Sequence, residues 1–306
     1  MGNSIAGINK HAGKKRGEDL WIHILMVAVT ALCVLPFILI FIISISDEKT
    51  VLTEGYSFLP SKLSTAAYKY LLYDPESIVR AYSITIFVTL AGTVVSLFIG
   101  SMLAYAISRK DYPHRNAVSF YIFFTILFNG GLVPWYLVYS MGFHIRDTLL
   151  ALIVPNLLLN GFYVLIMRSF FTNTVQPSLI ESAYLDGAGE FRIYFSIILP
   201  LSLPMLAAIG LMTTLAYWND WYNSLIFINN SKLLSLQYLM TRVLLNIQFL
   251  KSTSNISPEF ARVIGQMPSE TIRMAMAIVG IGPILLAYPF FQKYFIRGLT
   301  IGAVKG

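Results

Sequence analysis

Glu181, Ser182, Ala183, Asp186, Gly187 and Ala188 carry the most informative spacing in the chain, and their chemistry is that of contact, not of bond-making. Pro177 and Ser178 open a predicted short helix, with Ser178 in the N-cap place and Glu181 three residues on, the spacing of a capping box. The helix, predicted over 179–185, stops at Asp186-Gly187, a pair that permits the positive φ of a helix C-cap. A second helix then leads on through Phe191, Tyr194 and Phe195. Small residues (Ser182, Ala183, Ala188, Gly189) line the turn, so another protein can approach its backbone closely. Covalent chemistry has little to work with elsewhere. Cys33 is the single cysteine, and His11, His23, His114 and His144 are scattered, with no two on one helical face, so no metal centre is expected. No G-x-x-x-x-G-K-[ST] run occurs, so no loop cradles phosphate.

The elements that must hold this turn follow from composition. Of 306 residues, 56% are hydrophobic and only 12% charged, and the mean hydropathy is +0.67. Soluble domains carry about 25% charge, and disorder needs low hydrophobicity and high charge. Both classes are excluded, as is a disulfide-stapled secreted fold. The net charge of +7 comes from 22 Lys+Arg against 15 Asp+Glu. The basic excess lies in short segments between long apolar runs, where orientation signals of membrane proteins belong, so no nucleic acid partner is expected. The fold class is an all-α polytopic membrane protein embedded in a lipid bilayer.

A span needs about 20 mostly apolar residues. Six stretches lack Asp, Glu, Lys and Arg over that length: 20–46, 81–108, 116–145, 148–167, 193–219 and 274–292. The segment 233–250 is apolar too, but Arg242 stands at its centre, where an arginine costs about 2.5–3.5 kcal/mol on insertion scales. It reads as a helix outside the bilayer or at its surface; the alternative, a seventh span, would move the carboxyl terminus to the opposite side. The first stretch is too long for a signal-peptide core and is followed by no cleavage site, so it stays as an anchor. Segments 1–19, 109–115, 168–192 and 293–306 hold 12 of the 22 basic residues. The remaining 10 fall in 47–80, 146–147 and 220–273, which are longer overall, and long translocated loops count for little. Both termini are therefore expected on the cytoplasmic side. The implied organisation is a basic tail 1–19, a first span and outer loop 20–74, a core 75–292 containing an inner loop 168–194, and a tail 293–306. Pro36, Pro134, Pro155, Pro200, Pro204, Pro283 and Pro289 punctuate the spans, and the carbonyls they free must be satisfied by neighbouring helices or side chains.

Glu181, Ala183, Gly187, Ile197, Leu199 and Pro200 match the pattern E-A-A, three residues, G, nine residues, I-x-L-P, with Ser182 in place of the second alanine. The loop resembles the coupling loop of binding-protein-dependent ATP-binding-cassette importers. Trp218, Asn219, Asp220, Trp221 and Tyr222, and the tail 295–306, look like the sugar-importer branch, in particular the maltose-type second permease of the oligosaccharide and polysaccharide-fragment subgroup. The resemblance covers roughly 70–306. It implies a permease subunit of a type I importer in a bacterial plasma membrane. Its implied partners are a second permease subunit, two ABC ATPase subunits and an extracellular sugar-binding protein. ATP and Mg would sit on the ATPases, with no cofactor on this chain and no enzyme activity of its own. Glu181 and Gly187 inherit by position the roles of the loop that docks into the ATPase.

Sugars are recognised by aromatic faces with amide and hydroxyl groups in concave, mostly apolar sites. Asn129, Asn156, Asn160 and Tyr163 are polar residues within spans, and the last three recur at helical spacing that predicts one face of the fourth span. They line a pathway or make interhelical hydrogen bonds of structural type. Trp218, Asp220 and Trp221 lie where the fifth span ends. They form an aromatic belt with a helix-end cap, or a gate or docking point for the binding protein. The outer segment 220–273 is long for a connector, and long connections are often functional. Two rival classes remain. A secondary transporter or channel for a small solute usually carries buried charges and internal repeats. An intramembrane enzyme would need a catalytic pair inside the spans. The sequence offers neither feature.

Overall fold

The computed structural model describes residues 4–252 and 267–303, and these are predominantly helical. The only strand-like pairing among them is an isolated bridge, Ser46 to Leu63. The tail 304–306 and the stretch 253–266 of the expected outer segment lie outside the described residues. The chain divides into two compact units, one of residues 1–73 with 247–279 and the other of 74–246 with 280–306.

The first unit contains α1 (Ser4–Ser44), α2 (Glu48–Glu54), α3 (Ala66–Leu71) and the beginning of the last helix, α15 (Glu270–Ala303). The apolar stretch Leu20–Ser44 of α1 is long enough to cross a membrane, and only 6% of its most apolar window is buried. Its side chains therefore suit a lipid solvent. At the start of α15 the backbone N–H groups of Ser269, Glu270 and Thr271 all donate to the Glu48 carboxylate, at 2.8–3.0 Å, and the hydroxyls of Ser269 and Thr271 join them. Burial alone would raise the Glu48 pKa, but these donors, at the positive end of a helix dipole, hold it down to about 2.

The second unit is built around α4 (Pro75–Ser108), which packs along α8 (Gly161–Thr174) and α12 (Leu203–Trp218). Asp74 caps α4 by accepting from Ser77 N at 3.2 Å, and Pro75 takes the first-turn place where its missing N–H costs nothing. Close approach of α4 to α12 rests on Gly92, where a Cβ would lie 2.4 Å from Tyr217 Cζ. A core of Ala104, Ile107, Val164, Met167, Ile193 and Ile198 closes one end of this unit.

Three helices are long and apolar enough to span: Leu20–Ser44, Pro75–Ser108 and Glu270–Lys293. Two further expected spans are bent. Between α5 (Arg115–Leu127) and α6 (Leu132–Leu137, continued as a π turn Val138–Gly142) the bend is 117°, and between Glu190–Leu201 and Leu203–Trp218 it is 80°. The sixth expected span, 148–167, is not one helix. It is a single turn, α7 (Leu150–Ile153), then a break, then α8. The break has a local cause. Pro155 has no N–H to continue a helix, and Asn156 takes the left-handed conformation, φ 63°. Neighbours satisfy the carbonyls released there: Tyr217 Oη donates to Ile153 O at 2.8 Å, and Asn223 Nδ2 to Pro155 O at 3.1 Å. Among the described residues, three to five segments therefore meet the spanning requirement by length and composition, and the count of six is not confirmed. The Arg242 segment lies within α14 (Leu236–Ser252), which follows the short helix α13 (Tyr222–Phe227) and is not among the helices that qualify as spans.

Candidate functional site

The turn singled out by the sequence joins α9 (Pro177–Leu185) to α10 (Glu190–Ile193), which runs on through a π turn (Tyr194–Ile198) and α11 (Leu199–Leu201) into the bend before α12. The expected capping box does not form. Pro177 occupies the first helical turn, Gln176 is the cap residue, and Ser178 lies inside the helix, where its carbonyl accepts from Ser182 Oγ at 2.9 Å. A proline at the first helical position sets the helix start two residues earlier than the serine signal does.

The far end of α9 closes as the spacing predicts. Asp186 is the C-cap and Gly187 has φ +78°. Gly187 N donates to Tyr184 O and Ala188 N to Ala183 O, both at 2.9 Å, which is the paired pattern of a Schellman motif. Ala183 is 8% exposed and packs into the core with Phe171 and Val175. Glu181, Ser182, Asp186 and Gly187 face outward. Two exposed apolar side chains join them, Leu185 at 89% and Phe191 at 69%. Leu185 sits one turn beyond Glu181, so a carboxylate and a bare leucine present together at a rigid corner. Such a surface fits a protein partner better than water.

A polar ring ties this turn to the end of α4. Arg109, immediately after α4, is held by Asp111 through two bonds, Nε to Oδ1 at 2.9 Å and NH2 to Oδ2 at 2.7 Å. Arg109 also donates to Tyr184 Oη at 3.0 Å and to Tyr105 Oη at 3.3 Å. Tyr184 donates in turn to Glu190, and Tyr105 Oη donates to Glu190 Oε2 at 3.2 Å. The guanidinium lies 5.4 Å from the Tyr184 ring centre and 5.9 Å from that of Tyr105. The bond from Arg109 holds the Asp111 carboxyl below its ordinary range, while burial and the Glu190 bond push the Tyr184 phenol up. Two cavities flank the ring: one of about 350 Å³ reaches Pro177, Ile180 and Glu181, and the other, of about 380 Å³, reaches Phe191 and Tyr194. The sequence reading missed this ring. Its one visible signal is Arg109 itself, an arginine placed directly after a long uncharged run.

Of the residues expected to line a pathway, Asn160 and Tyr163 stand side by side and line one small cavity with Ser96 and Gly100, while Asn129, Asn156, Trp218 and Asp220 lie elsewhere. Asn156 and Asn160 lie in and at the end of the break before α8, so the expected single helical face of Asn156, Asn160 and Tyr163 does not exist. Asn160 instead caps α8, accepting from Phe162 N at 3.0 Å and Tyr163 N at 3.3 Å. Tyr163 is half-buried in the first turn of α8. Asn129 shapes the 117° bend by accepting from Gly131 N at 2.8 Å. Trp218 is 4% exposed and donates from Nε1 to Gly280 O at 2.9 Å, which makes it an interior tie and not a member of an interfacial belt. Asp220 accepts from Tyr222 N and Asn223 N at 3.1 and 3.2 Å and so caps α13. Burial outweighs these donors and pushes its carboxyl up to about 6.

Residues 132–301 match the family model described as binding-protein-dependent transport system inner membrane component. The chain is 36% identical to the polygalacturonan/rhamnogalacturonan transport system permease protein YtcP of Bacillus subtilis (strain 168), over 96% of this chain and 100% of that protein. It is 34% identical to protein LplC of the same organism, over 91% of each. Among solved structures it is similar to a chain of a bacterial ABC transporter involved in the import of the acidic polysaccharide alginate, with a TM-score of 0.74 and 28% identity. That likeness covers 92% of this chain and 98% of the other.

Proposed function

From the premise that this chain belongs to the family of binding-protein-dependent transport system inner membrane components, we propose that it carries an oligosaccharide or polysaccharide fragment into the cell. It is a permease subunit of an ATP-driven importer, embedded in the membrane, and ATP hydrolysis belongs to partner subunits. Family membership thus removes the secondary transporter, the channel and the intramembrane enzyme. The carbohydrate class is supported by relatives named for polygalacturonan/rhamnogalacturonan and for trehalose/maltose transport, and by the alginate importer.

The finer assignments belong to the proposal. The subunit pairs with a second permease, two ABC ATPases bind at the α9–α10 turn, and an extracellular binding protein delivers the sugar. ATP and Mg are held on the ATPases, and this chain holds no cofactor. Both termini face the cytoplasm. Glu181, Ser182, Ala183, Asp186, Gly187 and Ala188 form the ATPase-coupling surface. The observation that carries this is the rigid corner at Gly187, closed by its own backbone bonds and presenting Glu181 and Leu185 outward. Because the corner is stiff, a push on it moves α10 and the bend before α12 instead of deforming the loop. ATP binding then favours one packing of the bundle over the other. Asn129, Asn156, Asn160, Tyr163, Trp218 and Asp220 take structural roles at breaks and caps, and sugar contact by them is secondary.

The test is purification from mild detergent with its neighbouring subunits, followed by ATPase stimulation across a panel of saccharide-loaded binding proteins. An attached ATPase pair stimulated by one class of oligosaccharide is the expected result. Solute movement by the chain alone in vesicles, with no ATPase present, would overturn the reading.

A further inference from the structure

We propose that Arg109 is a positioning residue for energy coupling: through Tyr184 and Glu190 it fastens the α9–α10 turn to the end of α4. This rests on the coupling role proposed for that turn. By chain connection alone, the turn can drive only α8 and α10. The ring adds α4, a helix from a distant part of the sequence: Arg109 is 75 residues from Tyr184, and Tyr105 is 85 from Glu190. Arg109 donates to both phenols and both phenols donate to Glu190, so the four side chains close a circuit with donors and acceptors matched.

Three features distinguish a link from incidental surface pairing. The Arg109 side chain is only 13% exposed, and its two-pronged bond to Asp111 fixes the guanidinium plane before any loop residue is counted. Arginine is suited to this because its planar fork addresses several acceptors at once and stacks on aromatic rings, which lysine cannot reproduce. The ring stands between cavities of about 350 and 380 Å³, and its bonds add to the apolar packing of Ile180, Ala183 and Ala188 that seats the turn on the core. α4 in turn packs along α8 and α12, so a displacement received through Arg109 reaches both faces of the unit that contains the bend.

The experiment uses the whole importer, reconstituted with its ATPases and a saccharide-loaded binding protein, and reads uptake per ATP hydrolysed. Tyr184→Phe removes one bridging hydroxyl from a partly exposed ring. ATPase co-purification and basal hydrolysis should stay at wild-type level while uptake per ATP falls about tenfold, because a charge-assisted bond is lost. Glu190→Ala should behave likewise, and Glu190→Gln, which keeps an acceptor for both phenols, should retain most coupling. Arg109→Lys should fall with the alanine variant. Wild-type uptake per ATP in both Tyr184→Phe and Glu190→Ala would overturn the proposal. So would release of the ATPases, or equal falls in uptake and hydrolysis, since either assigns these residues to docking. The two readings fail separately: a wild-type chain that transports without ATPases removes the coupling role, whereas a coupled wild type with Tyr184→Phe and Glu190→Ala both fully coupled removes the link alone.

Discussion

Replacing Gly187 separates backbone shape from surface contact, because a Cβ built there meets nothing within 4 Å while φ stands at +78°. Within this chain the penalty for a side chain is conformational and not steric. Holding a non-glycine residue in the left-handed region costs about 1–2 kcal/mol for alanine, less for asparagine and more for a β-branched residue. The escape is to leave that region, which forfeits Gly187 N to Tyr184 O and Ala188 N to Ala183 O, each worth about 0.5–1.5 kcal/mol. The two costs are similar, so valine should populate an opened corner heavily, alanine partly and asparagine little. Neither cost touches the apolar core, so insertion should not change and stability in detergent should fall by no more than about 1–3 kcal/mol. In vesicles with ATPases and binding protein, uptake should rank Gly187 and Gly187→Asn highest, then Gly187→Ala about tenfold lower, then Gly187→Val near background. Normal uptake by Gly187→Val, with ATPases bound, would refute the coupling role. A defect in Gly187→Asn as deep as in Gly187→Val would refute the conformational reasoning and point to a contact that tolerates no side chain.

Gly92→Ala should force Tyr217 aside, since its new Cβ would stand 2.4–2.7 Å from three ring atoms. Overpacking of about 1–3 kcal/mol and an orphaned Ile153 carbonyl should lower the melting temperature in detergent, and Tyr217→Phe should show only the second effect. The Glu48 carboxyl has a depressed pKa, so its contribution is present above the ordinary value of 4.5 and is lost as pH falls toward about 2. Melting followed from pH 7 to pH 3 should lose that part of its slope in Glu48→Gln. Asp220 has the opposite sign: its pKa is raised to about 6, so ionisation weakens the fold as pH rises from about 3.8 to about 6. Asp220→Asn, which keeps a capping oxygen, should melt higher than wild type at pH 8, with the advantage gone at pH 4.

Charge-free length made the spans legible, because a stretch of that size with no Asp, Glu, Lys or Arg has few homes outside lipid. The same criterion is blind to continuity. The stretch 148–167 satisfies it, yet Pro155 and Asn156 break it, and the clue was the pair itself: a residue without a donor followed by one that tolerates positive φ. Gly187 was legible because the conformation it adopts excludes most other residues. Ser178 was misread as a cap because the serine signal was weighed ahead of the proline before it, which already fixes the helix start. The Arg109 ring and the Glu48 cap were out of reach for a different reason. Glu48 meets Thr271 across 223 positions, and no local pattern at either end announces a partner at that distance.

Three polar side chains inside the second unit have one job in common, and it explains where they stand. Tyr217 and Trp218 close α12 and Asn223 opens α13, and each donates to a carbonyl of another segment. Tyr217 and Asn223 reach the break before α8, and Trp218 reaches Gly280, one turn ahead of Pro283 in α15. In an apolar surround an unpaired carbonyl costs several kcal/mol, so the two donors at the break before α8 are required where the helical ladder is interrupted. The 16 residues of α12 form a rod of about 24 Å at 1.5 Å per residue. The α9–α10 turn feeds one end of that rod through the 80° bend, and the three donors grip two other elements from the opposite end. A rotation of α12 driven from the turn is thereby delivered to the very places where the backbone is already interrupted, and joints there can yield without breaking a continuous helical ladder.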